Sequence, residues 1–141
     1  MQFQIPIAPV PKARPRTITK GGKTWTYTPG KTQETEDLIK RLIQKSTLKK
    51  LPDDVPLSME VIFYKQKPKY YKKASRLDDL PIGRPDIDNY GKLLCDALNG
   101  VLFDDEQLTT TIFRKRWQEP DKEPCISVKI ECDYKECAWL T

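Results

Sequence analysis

The most informative part of the chain runs from Arg84 to Glu106 and reads RPDIDNYGKLLCDALNGVLFDDE. Its apolar residues recur at the spacing of one face of an α-helix, which predicts a helix over residues 87–98. Asn99 and Gly100 follow, and this pair is typical of the left-handed turn that ends a helix. The predicted buried face consists of Ile87, Tyr90, Leu94 and Leu98.

Charged residues flank and decorate this predicted helix. Pro85 disfavours helical backbone at the residue before it, so Asp86 and Asp88 flank the helix start. Lys92 lies at i+4 from Asp88 and Asp96 at i+8, which places both on the face opposite the apolar one. The N-terminus of a helix favours anions, whether carboxylates or a substrate phosphate.

Each acidic residue taken alone has a structural explanation. Asp88 could cap the helix, Asp88 and Lys92 could form a surface ion pair, and Asp104–Glu106 could be a solvated turn. Taken together, Asp86, Asp88 and Asp105 are three carboxylates available to one concave site, and like charges held close repel unless they are neutralised. Mg²⁺ is the expected counter-charge, because it binds through a few carboxylates, water and phosphate oxygens.

The rest of the chain predicts a single compact α+β domain. Its pattern indicates two main helices and one mixed β-sheet of about four to six strands, with residues 1–141 forming one unit. The polar, proline-punctuated stretch 65–85 is interpreted as a basic loop, and loops of this length are usually functional or disordered. The predicted strands are 2–8, 17–20, 23–28, 56–64, 107–117 and 124–133, and the other helix is 31–47.

Composition excludes several classes of enzyme. The 141 residues include no histidine, which removes Ser–His–Asp and Cys–His catalysis and any His-containing zinc site. No apolar run reaches the length of a membrane span and no signal peptide is visible, so we expect an intracellular protein with reduced thiols. A zinc site built from all four cysteines is a remote alternative. The cysteines are Cys95, Cys125, Cys132 and Cys137.

Positive charge is concentrated in two stretches, 1–33 and 65–76, that contain no acidic residue, although the net charge is only +5. Tyr70 and Tyr71 lie within the second stretch, and basic side chains interleaved with aromatic ones suit a phosphate backbone with exposed bases. The alternative is an ordinary solvated face rich in lysine. We interpret Trp25, Tyr27, Phe113 and Trp117 as core or sheet-face residues rather than stacking platforms. The candidate DNA-binding residues are Lys12, Arg14, Arg16, Lys67, Lys69, Lys72, Lys73 and Arg76.

These motifs resemble the RusA family of Holliday junction resolvases. The resemblance rests on Arg-Pro-Asp-Ile-Asp-Asn-x-x-Lys from Arg84 and on Cys-Asp-Ala-Leu-Asn-Gly-Val-Leu-Phe-Asp-Asp-Glu-Gln from Cys95. The opening Pro-Val-Pro-Lys-Ala-Arg-Pro-Arg from Pro9 and the Tyr-Thr-Pro at Tyr27 are also similar. The likeness extends from about residue 5 to residue 132.

The resemblance implies a Mg²⁺-dependent endodeoxyribonuclease, with Mn²⁺ as a possible substitute, that resolves branched DNA in recombination and repair. It implies that Asp86, Asp88 and Asp105 are catalytic and bind the metal, and that Lys92 is catalytic near the scissile phosphate. It further implies a homodimer in the cytoplasm of a bacterium, encoded by a prophage or phage. The supporting residues would be Asn89, Asp96 and Asp104. The alternatives are a non-catalytic protein that binds branched or single-stranded DNA, and a nuclease that prefers flaps or forks.

Overall fold

The structure, a computed structural model, describes residues 1–27, 29–69 and 80–133. It confirms a single α+β domain with two helices and a mixed sheet. Helix α2 has the predicted bounds, and the other elements differ from prediction by a few residues at their ends. The elements are β1 (Gln2–Ile5), β2 (Arg16–Lys20), β3 (Lys23–Tyr27), α1 (Gly30–Lys45), β4 (Leu57–Lys65), α2 (Ile87–Leu98), a 3₁₀ turn (Asp105–Gln107), β5 (Leu108–Trp117) and β6 (Cys125–Cys132).

The main sheet has four strands in the order β1-β6-β4-β5. β4 pairs parallel with β5 and antiparallel with β6, and β1 pairs antiparallel with β6. A parallel pair needs a crossover connection, and α2 supplies it between β4 and β5. β2 and β3 form a separate two-stranded antiparallel ribbon.

The core lies between the sheet and the two helices. Alternate residues of β4 are buried because successive side chains of a strand point to opposite faces. Tyr90 of α2 stacks on Phe63 of β4 with ring centroids 5.3 Å apart. A Cβ at Gly91 would overlap the ring of Phe113, so a glycine is needed where α2 crosses β5. The fully buried apolar residues include Ile39, Met59, Val61, Leu94, Ala97, Leu98, Leu102, Phe103 and Val128.

The aromatic residues singled out in the sequence separate into two groups. Phe113 packs against the core and Trp117 is half-buried. Trp25 and Tyr27, in contrast, are 46% and 38% exposed, because none of the described elements covers the ribbon that carries them. They lie on a sheet face but outside the core.

Two other predictions are affected by what the structure describes. The spacing of Leu38, Ile39, Leu42 and Ile43 predicts one buried face for the helix at 31–47. Ile39 and Ile43 are buried as predicted, but Leu38 is 38% exposed. The middle of the predicted loop 65–85, residues 70–79, lies outside the described residues. Among the described helices, none is long and apolar enough to cross a membrane.

Candidate active site

The start of helix α2 presents two exposed carboxylates. Asp86 is the residue before the first helical position and Asp88 lies in the first turn. Asp88 is therefore not the cap residue. Within the described residues the Asp86 carboxylate caps no amide of the first turn, and no ion pair joins Asp88 to Lys92. Both structural explanations of Asp88 thus lose their support.

Two lysines hold the segment that leads into Asp86. Lys115 Nζ donates hydrogen bonds to the carbonyl oxygens of Gly83 at 2.8 Å and Pro85 at 3.1 Å. Lys65 Nζ donates to the carbonyl oxygen of Arg84 at 3.3 Å. Burial and the neighbouring Lys115 lower the pKa of Lys65. The segment before the candidate site is therefore anchored by cations from β4 and β5, and its Arg84–Pro85 peptide bond is cis.

An open cleft of about 590 Å³ adjoins Asp86. Arg14 and Arg84 line it together with Asp86 and Asn89, so the cleft combines two guanidinium groups with one of the predicted catalytic carboxylates. Guanidinium groups bind phosphate bidentately, which suits such a cleft to a DNA backbone. Arg84 was not among the candidate DNA-binding residues. Its place beside Asp86 in the motif was the signal that could have found it.

The segment around Lys12 is fastened to both helices. The Lys12 amide donates to the carbonyl oxygen of Asn89 at 2.9 Å, and the Ala13 amide donates to Thr32 Oγ1 at 3.1 Å. Lys12 Nζ lies 2.6 Å from Glu36 Oε1 and 3.1 Å from Asp96 Oδ2. These contacts place the following residue pair, which ends in Arg14, at the edge of the cleft.

The ammonium group of Lys12 is consequently paired with carboxylates of the same chain. Burial alone would lower the pKa of Lys12, but its hydrogen bonds to Glu36 and Asp96 outweigh that effect and raise it. The predicted contact of Lys12 with DNA remains a prediction, whereas its contacts in the structure connect α1 to α2.

The carboxylates beyond helix α2 have different surroundings. Asp104 lies 3.3 Å from Lys50 Nζ, and its amide donates to Gln107 Oε1 at 2.9 Å. The Asp105 amide donates to Asn99 Oδ1 at 3.0 Å, which places this exposed residue at the C-terminal end of α2. Asp104 therefore has a structural role in the turn.

Burial and neighbouring acidic groups raise pKa values at the C-terminal end of α2. Partial burial and the charges of Asp96 and Asp104 raise the pKa of Asp105. Burial, together with Asp105 and Asp96, raises the pKa of the Cys95 thiol to about 11. Asp96 and Asp105 thus interact with each other, and the Cys95 thiol beside them stays protonated at neutral pH.

The structure separates the three predicted metal ligands. Helix α2 has 12 residues and is about 18 Å long, with Asp86 and Asp88 at its start and Asp105 beyond its end. Among the described residues, no three His, Cys, Asp or Glu side chains lie close enough together to hold a metal ion. A single concave site containing all three carboxylates is therefore not formed within one protomer. Lys92 is exposed on the helix between them.

The predicted DNA-binding residues differ in exposure, and some lie outside the described part of the chain. Arg14, Arg16 and Lys69 are exposed. Lys67 lies over the ring of Trp117, with Nζ 6.0 Å from the centroid. Three predicted residues and both neighbouring tyrosines lie outside the described part of the chain: Lys72, Lys73, Arg76, Tyr70 and Tyr71. Lys65 and Lys115 were missed because nothing in their local sequence indicates a contact with residues 83–85.

Comparison with known proteins extends over most of the chain. The family described as endodeoxyribonuclease RusA matches residues 6–131, a range that includes every candidate site residue. The chain is also 28% identical to a protein of Bacillus subtilis (strain 168) described as uncharacterized protein YqaN. That similarity covers 92% of this chain and 94% of the Bacillus subtilis protein.

Proposed function

The chain belongs to the RusA family of endodeoxyribonucleases, and from this we propose that it hydrolyses phosphodiester bonds of four-way junctions in a Mg²⁺-dependent reaction. The observation that carries the proposal is the family match over residues 6–131. The cleft lined by Arg14, Arg84 and Asp86 supports it, since a nuclease must hold a phosphate beside its catalytic carboxylates. We propose a role in recombination and repair, in the cytoplasm of a bacterium that carries the gene in a prophage or phage.

The donor groups at the start of α2 suit a hard cation. Asp86 and Asp88 offer exposed carboxylate oxygens, and Mg²⁺ is commonly bound through one or two carboxylates plus waters and substrate phosphates. We propose that these two residues hold the metal. When bound, it would supply an activated water and neutralise charge on the phosphate.

The cationic residues take the remaining tasks. Arg14 and Arg84, which both line the cleft, would bind the phosphates that flank the scissile bond. Lys92 lies one helical turn after Asp88 and would place its ammonium group near the leaving oxygen as a point charge. Because none of these steps uses imidazole, the absence of histidine fits the proposal.

A homodimer would bring Asp105 close to Asp86 and Asp88. In one protomer Asp105 lies at the C-terminal end of α2, whereas Asp86 and Asp88 lie at its start. If two copies pair with their α2 helices antiparallel, about a two-fold axis that passes beside the middle of each helix, Asp105 of each copy approaches Asp86 and Asp88 of the other. We therefore propose a dimer with two equivalent composite sites. Such a dimer suits the paired cleavage of a junction that is itself nearly two-fold symmetric.

A mixed dimer of two inactive variants tests the composite site. Asp88→Asn and Asp105→Asn should each abolish cleavage alone. When the two are denatured and refolded together, half of the composite sites in each mixed dimer carry both wild-type residues, so nicking should return. If the sites were formed within single protomers, every site in the mixed dimer would carry one substitution. Persistent inactivity of the mixture would therefore contradict the composite arrangement.

The substrate proposal is tested with three DNAs of matched sequence: a four-way junction, a flap and a plain duplex. Each is incubated with the wild-type protein with and without Mg²⁺, and products are mapped on a denaturing gel. We expect paired nicks in the junction only, and only with Mg²⁺. Cleavage of the flap would instead identify a flap nuclease, and binding without cleavage would identify a non-catalytic DNA-binding protein. Degradation of all three would contradict any structure-specific function.

A further inference from the structure

The β2–β3 ribbon separates its side chains sharply by face. Gly21 and Gly22 both have positive φ, at 59° and 76°, as the tight two-residue turn of a hairpin requires. Residues directly opposite each other in an antiparallel pair share a face. One face therefore carries only threonines, which form hydrogen-bonded pairs at 3.3 Å (Thr17–Thr26) and 3.0 Å (Thr19–Thr24).

The other face of the ribbon, which we call the mixed face, carries all of its cations and all of its large apolar side chains. The register pairs a cation with an aromatic ring at the base, two apolar groups in the middle and two lysines at the tip. The three cross-strand pairs are Arg16 with Tyr27, Ile18 with Trp25, and Lys20 with Lys23.

This face lies open in the described structure. All ten residues of β2 and β3 are exposed, and the two apolar residues at the centre, Ile18 and Trp25, are 38% and 46% exposed. A free-standing two-stranded ribbon is marginally stable in water, and an exposed tryptophan adds nothing to its solubility. An apolar centre bordered by cations is, however, suited to a ligand that combines flat rings with negative charge.

We propose that the mixed face binds branched DNA, with Trp25 stacking on a base left unpaired at the branch point and Lys20 and Lys23 binding the adjoining phosphates. The proposal rests on the proposed function for its substrate, but it concerns binding and not cleavage. Arg16 pairs with Tyr27 at the base of the same face. The cations of the mixed face would therefore extend the basic surface that begins at Arg14 in the cleft.

Charge favours DNA over a second copy of the chain as the occupant of this face. Residues 1–33 contain no acidic residue, so two copies joined through the mixed face would bring like charges together without a compensating anion. The phosphate backbone supplies that anion, and every unpaired base offers a π-face to an aromatic side chain. Paired bases in a duplex are already stacked, which is why a branch point is the better match.

The key variant is Trp25→Leu, which keeps an apolar partner for Ile18 across the ribbon but removes the aromatic ring. Trp25→Phe restores a ring, and Thr24→Val is the matched control on the threonine face. Binding of each protein to a fluorescently labelled junction and to a labelled duplex is measured by anisotropy in EDTA, so that no cleavage occurs. We expect Trp25→Leu to weaken junction binding about tenfold, as the loss of one stacked base predicts. Trp25→Phe should recover most of the loss, and Thr24→Val should bind like wild type.

A salt titration tests the lysines independently. The double variant Lys20→Ala/Lys23→Ala should reduce the slope of log affinity against log salt by between roughly one and two, because two phosphate contacts are lost. Two results of the binding measurements would overturn the proposal. One is junction binding by Trp25→Leu that equals wild type, and the other is an equal loss on junction and duplex, which would indicate groove binding. Dissociation of the Trp25→Leu protein into monomers on sedimentation would also overturn it, in favour of a dimer contact. A wild-type protein that binds junctions through Trp25 but does not cut them would contradict the proposed function alone.

Discussion

The two ends of helix α2 both carry carboxylates, but these carboxylates differ in how far lysine side chains neutralise them. At the start, Asp86 and Asp88 are exposed, and Asp86 lines a cleft together with Arg14 and Arg84. At the end, Asp104 is paired with Lys50 and Asp96 with Lys12. The first end keeps its negative charge open to solvent, whereas the second neutralises most of it internally.

The helix dipole explains part of this difference. Partial positive charge at the N-terminus of α2 favours Asp86 and Asp88, which form no ion pair with any other described residue. Partial negative charge at the C-terminus disfavours carboxylates there, and Asp96 and Asp104 are each paired with a lysine. Burial and the charges of Asp96 and Asp104 raise the pKa of Asp105. Carboxylates that a fold leaves uncompensated are the ones available to a cation and a substrate. This difference supports the proposal that the metal binds at the first end, with Asp105 supplied by the partner protomer.

Removing one charge from the open end should have the largest effect. We expect Asp88→Asn to reduce junction cleavage by roughly a thousandfold, since several kcal/mol of metal-assisted stabilisation are lost. Junction binding should persist or tighten, because one negative charge near phosphate is gone. Cleavage is measured under single-turnover conditions in Mg²⁺, and binding in EDTA.

Asp121→Asn, in the exposed turn between β5 and β6, is the matched control and should cleave like wild type. Retention of cleavage by Asp88→Asn in metal-defined buffer would show that the open end is not the metal site. The contrast between the two ends would then lose its functional meaning.

How far the sequence predicted these two ends depends on the range of the contacts involved. The bounds of α2 follow from local periodicity, because Tyr90, Leu94 and Leu98 face one core. The position of Asp105 did not follow, since proximity in the motif conceals the turn at Asn99 that leaves it beyond the helix end. The linear motif suggests one acidic cluster, whereas the fold shows two, one at each end of α2.

Contacts across long stretches of sequence were the least predictable. Lys115 reaches the carbonyl oxygen of Pro85 across 30 residues, and no local pattern indicates it. Lys12 looked like a DNA-binding residue because it lies in a basic, acid-free segment, but its ammonium group faces Glu36 and Asp96. Charge patterning in a sequence locates basic segments, and packing then decides which of their side chains remain available.

Lys12 contacts both ends of α2, through the carbonyl oxygen of Asn89 near the start and the carboxylate of Asp96 near the end. Removing its ammonium group should therefore destabilise the fold. Lys12→Met leaves Glu36, which is 6% exposed, without its closest cation. We expect the free energy of unfolding to fall by about 2 kcal/mol, because a largely buried carboxylate loses its partner. Chemical denaturation at neutral pH measures the change.

Lys49→Met is the matched control, since Lys49 is an exposed lysine in the segment after α1, and its stability should match wild type. An unchanged stability of Lys12→Met at neutral pH would contradict a structural role for Lys12.

The cleft at the open end is tested through binding. Arg14→Ala should weaken junction binding by about tenfold at physiological salt and reduce the salt-dependence slope by about one, as the loss of one phosphate contact predicts. Arg41→Ala, on the exposed face of α1, removes the same charge away from the cleft. A slope for Arg14→Ala that equals that of Arg41→Ala would contradict a phosphate contact at the cleft.

The smallest expected effect concerns the crowded end. Because the pKa of Asp105 is raised in the folded protein, its contribution to stability is fully present below the ordinary aspartate pKa of about 3.8 and is lost as the pH rises through the raised value. Asp105→Asn should therefore be more stable than wild type at neutral pH, by less than about 1 kcal/mol for an exposed group, and show no advantage in acid. Thermal unfolding in EDTA across this pH range measures the difference, with Asp121→Asn as the control. Destabilisation by Asp105→Asn at neutral pH would mean that Asp105 is internally compensated like Asp96 and Asp104. In that case the crowded end would have no uncompensated carboxylate to contribute to a partner's site.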